Sequence, residues 1–127
     1  MVRKKIGKLT LNGVVPKPHE MEAIDFLTEL GYDIKLIPTS KIKGIHSPDF
    51  MIDRQRWELK SPTGNGKYLI PNTIQRAVKQ SGNVIIDLRK TKRNQERCIR
   101  ELRKELKLSG SLKRVKVITK EHKLLEL

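Results

Sequence analysis

Cysteine is nearly absent from this chain of 127 residues, where Cys98 stands alone. A single thiol forms neither an internal disulfide nor a thiolate metal site, so nothing of that kind staples the fold, and a reducing cytosol is the natural setting. Aromatic residues are scarce as well: one Trp, two Tyr and two Phe are too few to build a surface on which successive bases stack. No apolar run approaches the roughly 18 residues that a membrane-spanning helix needs. The N-terminal MVRKKIGK lacks the apolar segment of a secretory signal. The expectation is a soluble, cytoplasmic protein that buries its own core, and the length suits one domain. Internal repeats and low-complexity segments are also missing.

Acidic residues are outnumbered two to one. Twenty-eight Lys and Arg against fourteen Asp and Glu leave a formal charge of +14, which favours a polyanionic partner through counterion release. Nucleic acid is the first candidate. An anionic membrane surface would call for a basic amphipathic helix with Trp or Phe on its other face, and no segment supplies one.

Residues 1–18 read as a basic arm or hairpin, its KLTLNGVV portion a β-hairpin or strand with Asn12-Gly13 as the turn, and residues 19–127 as the domain proper. Helical spacing runs from His19, just after Pro18, to Leu30, with Gly31 as the terminating glycine. Ala23, Ile24, Phe26, Leu27 and Leu30 form its apolar stripe, and Glu20 falls inside that stripe. Two readings of Glu20 stand side by side: a first-turn acid complementing the helix dipole, or a carboxylate that needs a cation because it is turned from water. Tyr32–Ile37 reads as a strand and 41–47 as a polar loop. Ser61–Asn72, rich in Gly, Pro, Ser and Asn, reads as another loop. Asn72 or Thr73 would cap a short helix from Ile74 to Gln80. Asn83–Leu88 is a continuous apolar run suited to a strand covered on both faces. Thr91–Leu108 is the longest helix, with Cys98, Ile99, Leu102 and Leu106 opposite a basic stripe of Arg93, Arg97, Arg100, Lys104 and Lys107. That stripe is either a solvated outer face or a contact for phosphate. Lys113–Thr119 alternates as an outer strand with Lys116 outward, and HKLLEL adds a short edge strand.

The chemistry concentrates in SPDFMIDRQRWELK, residues 47–60. A two-residue loop at Arg54-Gln55 would pair Asp53 with Arg56, Ile52 with Trp57, Phe50 with Leu59 and Asp49 with Lys60. Alternation then puts Phe50, Ile52, Trp57 and Leu59 on one face and Asp49, Glu58 and Lys60 on the other. Facing side chains have Cβ atoms about 5 Å apart, close enough for one metal ion to bridge both carboxylates. Arg54-Gln55 is poor chemistry for a tight turn, but the shared face requires only an even count in the loop. Taken singly, each residue has a plainer role: Asp49 after Pro48 as a turn former, Glu58 and Lys60 as solvated residues of an edge hairpin.

A helix bearing Glu20, then Pro48-Asp49, then Glu58-Leu59-Lys60, then a helix and a strand, resembles the PD-(D/E)XK nuclease superfamily over about residues 19–88. The resemblance implies an α/β fold with a restriction-endonuclease-like αβββαβ core, here with an added C-terminal helix and strand and a mixed central sheet. Within the superfamily, HEMEAIDFLTELGYDI, SPDFMIDRQRWELKSP and AVKQSGNVIIDL look like the C-terminal tRNA nuclease domains of contact-dependent growth-inhibition toxins. The chain departs from that pattern by starting at its own methionine, without a delivery protein.

The activity implied by this resemblance is that of a metal-dependent endonuclease, with tRNA or RNA as the leading substrate. DNA cleavage of restriction, repair or junction-resolving type is the alternative, and a non-catalytic basic nucleic-acid-binding module the third. Asp49 and Glu58 would offer hard oxygens to Mg²⁺ or Mn²⁺, joined in the family by the backbone carbonyl at Leu59 and by Glu20, with Lys60 beside them. Lys67, Gln75, Lys79 and His46, with Arg93, Arg97, Arg100 and Lys104, are the candidates for nucleic-acid contact. Expected partners are nucleic acid and an acidic immunity protein, with no membrane, for a monomer or homodimer acting in the cytosol of its own or a target cell.

Overall fold

The computed structural model describes residues 5–38 and 50–127. Asp49, Pro48 and His46 lie outside the described residues, as does the polar loop expected at 41–47. Three helices and seven strands are present among the described residues, in the order β1(Leu9–Thr10), α1(Pro18–Glu29), β2(Ile34–Leu36), β3(Phe50–Ile52), β4(Gln55–Lys60), α2(Leu69–Ala77), β5(Asn83–Asp87), α3(Gln95–Leu108), β6(Arg114–Ile118) and β7(Leu124–Glu126). From α1 to β5 the succession is helix, three strands, helix, strand. The chain divides into two compact units, Met1–Trp57 and Glu58–Leu127.

In the first unit α1 begins at Pro18, where the missing N–H costs nothing because first-turn donors have no intrahelical partner. It stops before Gly31, whose φ of 102° belongs to the left-handed region that a terminating glycine takes. Its buried face is Ala23, Ile24, Leu27 and Thr28. Of the two forms expected within the arm, hairpin or strand, it takes the strand: Leu9 and Thr10 run parallel to Ile34 and Lys35 of β2. Asn12 and Gly13 do turn the chain, both with positive φ, and the Asn12 side chain donates to the Leu36 carbonyl at 3.0 Å.

Gly7 sits where any side chain would collide. A Cβ there would lie 1.9 Å from the Tyr32 carbonyl oxygen, while the Gly7 N–H donates to Thr28 O at 2.7 Å. Gly7→Ala is therefore expected to push residues 7–10 off β2 and cost about 1–3 kcal/mol. A urea midpoint unchanged from wild type would show that this edge carries no stability.

The β3–β4 hairpin departs from its expected register. Phe50 pairs with Trp57, Met51 with Arg56 and Ile52 with Gln55, so the turn is Asp53-Arg54 and not Arg54-Gln55. Both turn residues have positive φ, 51° and 67°, as a type I′ turn demands. Aspartate tolerates that region better than most residues, and Gln55 is released to continue the ladder. The slip is by an even number of residues, so every side chain keeps its face. Phe50, Ile52, Trp57 and Leu59 are all buried, as expected.

In the second unit, β5 lies parallel to both β4 and β6, and β7 closes antiparallel on β6. One face of β5 and β6 packs Val84, Ile86, Leu88, Val115 and Val117 against Ile70, Ile74 and Ala77 of α2 and Cys98 and Leu102 of α3. Cys98 is fully buried, and that burial, the largest cause, raises its thiol pKa. Three expectations change here. Helix α2 starts at Leu69, five residues earlier than Ile74, because Pro71 falls in its first turn and is tolerated there; Lys79 consequently lies beyond the last helical residue. Helix α3 starts at Gln95, capped by the Asn94 side chain accepting from Arg97 N–H at 3.0 Å, so Arg93 is not on its basic stripe. Finally, β6 is not an outer strand: Lys116 is buried and ion-paired with Glu126 of β7.

Candidate functional site

The EXK portion of the motif lies at the start of the second unit, on the last half of β4. Glu58, Leu59 and Lys60 pair in parallel register with Val84, Ile85 and Ile86 of β5. Partners in a parallel ladder share a face, so Glu58 and Lys60 belong to the face that α2 and α3 cover. Glu58 is 2% exposed, and its Oε2 stands 3.3 Å from the Lys60 Nζ. Alternation explains the contact: residues two apart on a strand point the same way. A carboxylate this deeply buried is tolerated only with a cation beside it, and Lys60, about one-quarter exposed, carries that charge toward solvent.

Lys60 opens into a cleft of about 400 Å³ lined by Ser61, Pro62, Thr63, Gly64, Leu69, Thr73 and Arg76. The loop forming one wall is tied down from behind. Thr91 Oγ1 donates to the Gly64 carbonyl at 2.5 Å and Lys92 N–H to the same oxygen at 3.2 Å. Lys120 Nζ in turn donates to the Thr91 carbonyl at 2.7 Å. On the other wall, Leu69, Thr73 and Arg76 fall on one side of α2 by helical spacing.

Glu20 is half-buried in the first turn of α1, and its carboxylate accepts the Lys17 N–H at 2.9 Å. That contact is the reciprocal half of a capping box, in keeping with the helix-terminus reading of this residue. Asp49 and His46 lie outside the described residues. Leu59 is buried. Arg97, Arg100 and Lys104 are exposed along α3. Arg93 is engaged instead: its guanidinium donates to both oxygens of Glu101, at 2.9 and 3.0 Å, and that bond raises its pKa. Gln75, Lys79 and Lys67 are exposed, with the Lys67 ammonium 5.5 Å from the centre of the Tyr68 ring. Arg76, Thr73 and Ser61, which the sequence did not single out, are the residues brought together with Lys60. The signal for Arg76 and Thr73 lay in their three-residue spacing, hidden by placing the helix too late.

Among the described residues no group of three or more His, Cys, Asp or Glu side chains is placed to hold a metal ion. No helix among them is long and apolar enough to cross a membrane.

Comparison with known proteins places this fold. The chain is similar to a chain of the CdiA-CT/CdiI toxin and immunity complex from Burkholderia pseudomallei, with a TM-score of 0.74 at 19% identity, over 95% of this chain and 98% of that one. At that identity the likeness concerns the fold alone. No curated protein matches the chain. Residues 46–124 match the family described as the contact-dependent growth inhibition CdiA C-terminal domain. That span is well over half of the sequence, and it includes the strand bearing Glu58 and Lys60, the cleft and both helices of the second unit: the chain belongs to the contact-dependent growth inhibition CdiA C-terminal domain family, a family of toxin domains.

Proposed function

We infer that this domain is a metal-dependent endonuclease of PD-(D/E)XK type that cleaves RNA, tRNA foremost. The observation that carries the reading is the buried Glu58 carboxylate paired at 3.3 Å with Lys60 at the mouth of a basic cleft. Support comes from the helix, three-strand, helix, strand succession around it, from the charge of +14 and from membership of a toxin-domain family.

Asp49 precedes Phe50, and Phe50 is opposed to Trp57, the residue before Glu58; this order supports Asp49 as the second carboxylate. Two hard oxygen donors, Asp49 and Glu58, suit Mg²⁺ or Mn²⁺, with the Leu59 carbonyl and Glu20, directly or through water, as further ligands. When bound, such an ion lowers the pKa of its water and neutralises charge developing on the phosphate. The protein's own groups do the rest. Lys60 orients the attacking water and stabilises the oxygens of the pentavalent phosphorus. Arg97, Arg100 and Lys104 on α3, with Lys67, Gln75, Lys79 and His46, hold the nucleic-acid backbone around it. An acidic immunity protein is the proposed partner of the same basic surface, since charge complementarity speeds and orients such association.

Incubation with total tRNA and Mg²⁺, with and without EDTA, tests the reading. Cleavage that stops with EDTA is expected. Intact tRNA in both conditions, over hours at micromolar protein, would sink it.

A further inference from the structure

Two arginines of the second unit have their charge answered from within the fold. Arg89 is held by Asp87 and Arg93 by Glu101. Arg76 differs: it is exposed on α2 and forms no ion pair among the described residues. It lines the same cleft as Lys60, and none of the residues lining that cleft is acidic. Two other clefts of about the same size, in the first unit, include Asp33 and Asp53 among their linings. Lys60 is answered by Glu58, so the charge that this concave space leaves unpaired is that of Arg76, and a concave wall strengthens its attraction for an anion.

A second observation concerns Ser61. Its Oγ is buried and has no hydrogen-bond partner among the described residues, a costly state for a hydroxyl. Rotation about one side-chain bond offers that hydroxyl to an oxygen entering the cleft. The wall is already ordered, through Thr91 and Lys92 on the Gly64 carbonyl, so binding does not have to immobilise a loose loop.

We propose that this cleft holds a backbone phosphate of the nucleic-acid substrate, next to the one attacked, with Arg76 as its gripping cation and Ser61 as a hydroxyl donor. The proposal rests on the nuclease reading above and adds to it the place where the strand is held. Arginine suits the task because its planar fork meets two phosphate oxygens at once. Gln75 and Lys79, the residues that sequence spacing pointed to on this stretch, do not line the cleft.

The test is binding of an unstructured RNA octamer to the full chain in EDTA, so that nothing is cleaved. Arg76→Gln is expected to weaken binding about tenfold and to reduce the slope of log affinity against log salt by about 0.7, one single-stranded phosphate contact. Arg76→Lys should recover the slope but only part of the affinity, since it restores charge without the fork. Arg76 is exposed, so both variants should melt as wild type does. Equal affinity and slope for wild type and Arg76→Gln would overturn the cleft proposal alone. A wild-type chain that fails to bind RNA at all would overturn the nuclease reading, and the cleft with it.

Discussion

Under the proposed metal-dependent nuclease function, Glu58→Gln is expected to slow RNA cleavage by about 10²–10³-fold, the several kcal/mol that a positioned divalent ion contributes to phosphoryl chemistry. Glutamine keeps the volume and outline of glutamate, so the strand, the pairing of Glu58 with Val84 and the packing of α2 and α3 have no reason to change. What disappears is charge. The substituted side chain holds a divalent cation weakly and no longer holds the Lys60 ammonium, now 3.3 Å away, by charge. Burying an ionised carboxylate is costly, and Glu58 is 2% exposed, so neutralising it should leave the melting temperature unchanged or raise it. Loss of cleavage with retained or increased stability is the signature of a residue kept for chemistry. Unchanged cleavage, measured at saturating Mg²⁺ and again at limiting Mg²⁺, would remove Glu58 from the mechanism.

Arg89→Met should have the opposite profile, a large loss of stability without a direct effect on the chemistry. Asp87 ends the central strand and is 1% exposed. Its two oxygens accept from the Arg89 Nε at 3.0 Å and Nη2 at 2.8 Å, and one also accepts the Arg89 N–H at 3.0 Å. Methionine fills much of the arginine's volume but strands the carboxylate in an apolar setting with the backbone donor alone. Breaking a buried pair in this way costs about 3 kcal/mol, or about 10 °C in melting temperature for a domain of this size. Asp87→Asn in the same chain removes the stranded charge, so the double variant should regain most of the loss. Additive losses in that double-mutant cycle would mean that the two residues do not depend on each other.

The two substitutions also mark what was readable in advance. Glu58 is legible because strand alternation has a period of two: Glu58 and Lys60, two apart on β4, share a face whatever turn precedes them. The register difference between expectation and structure therefore changed the partners of Phe50 and Ile52 without taking Glu58 or Lys60 off their shared face. The Asp87–Arg89 pair was not legible. In the sequence Asp87 reads as part of an apolar run, and only the strand's burial on both faces makes its charge a matter of stability. Arg93 illustrates the same limit, since an arginine eight residues before a glutamate reads as solvated until a helix start brings them together.

By itself the sequence determined the order of the elements, the limits of α1 between Pro18 and Gly31, the doubly covered strand at β5, and the sharing of a face by Glu58 and Lys60. Each of these depends on local steric preference or on a short period that tertiary context does not disturb. Only the tertiary structure decided which turn closes the hairpin, that Pro71 lies inside a helix, that Lys116 is buried and paired with Glu126, and that Arg76 rather than Gln75 or Lys79 shares a cleft with Lys60. Those outcomes depend on the phase of a helix and on partners 10 or more residues away in sequence, where packing and charge pairing outweigh the preferences of single residues.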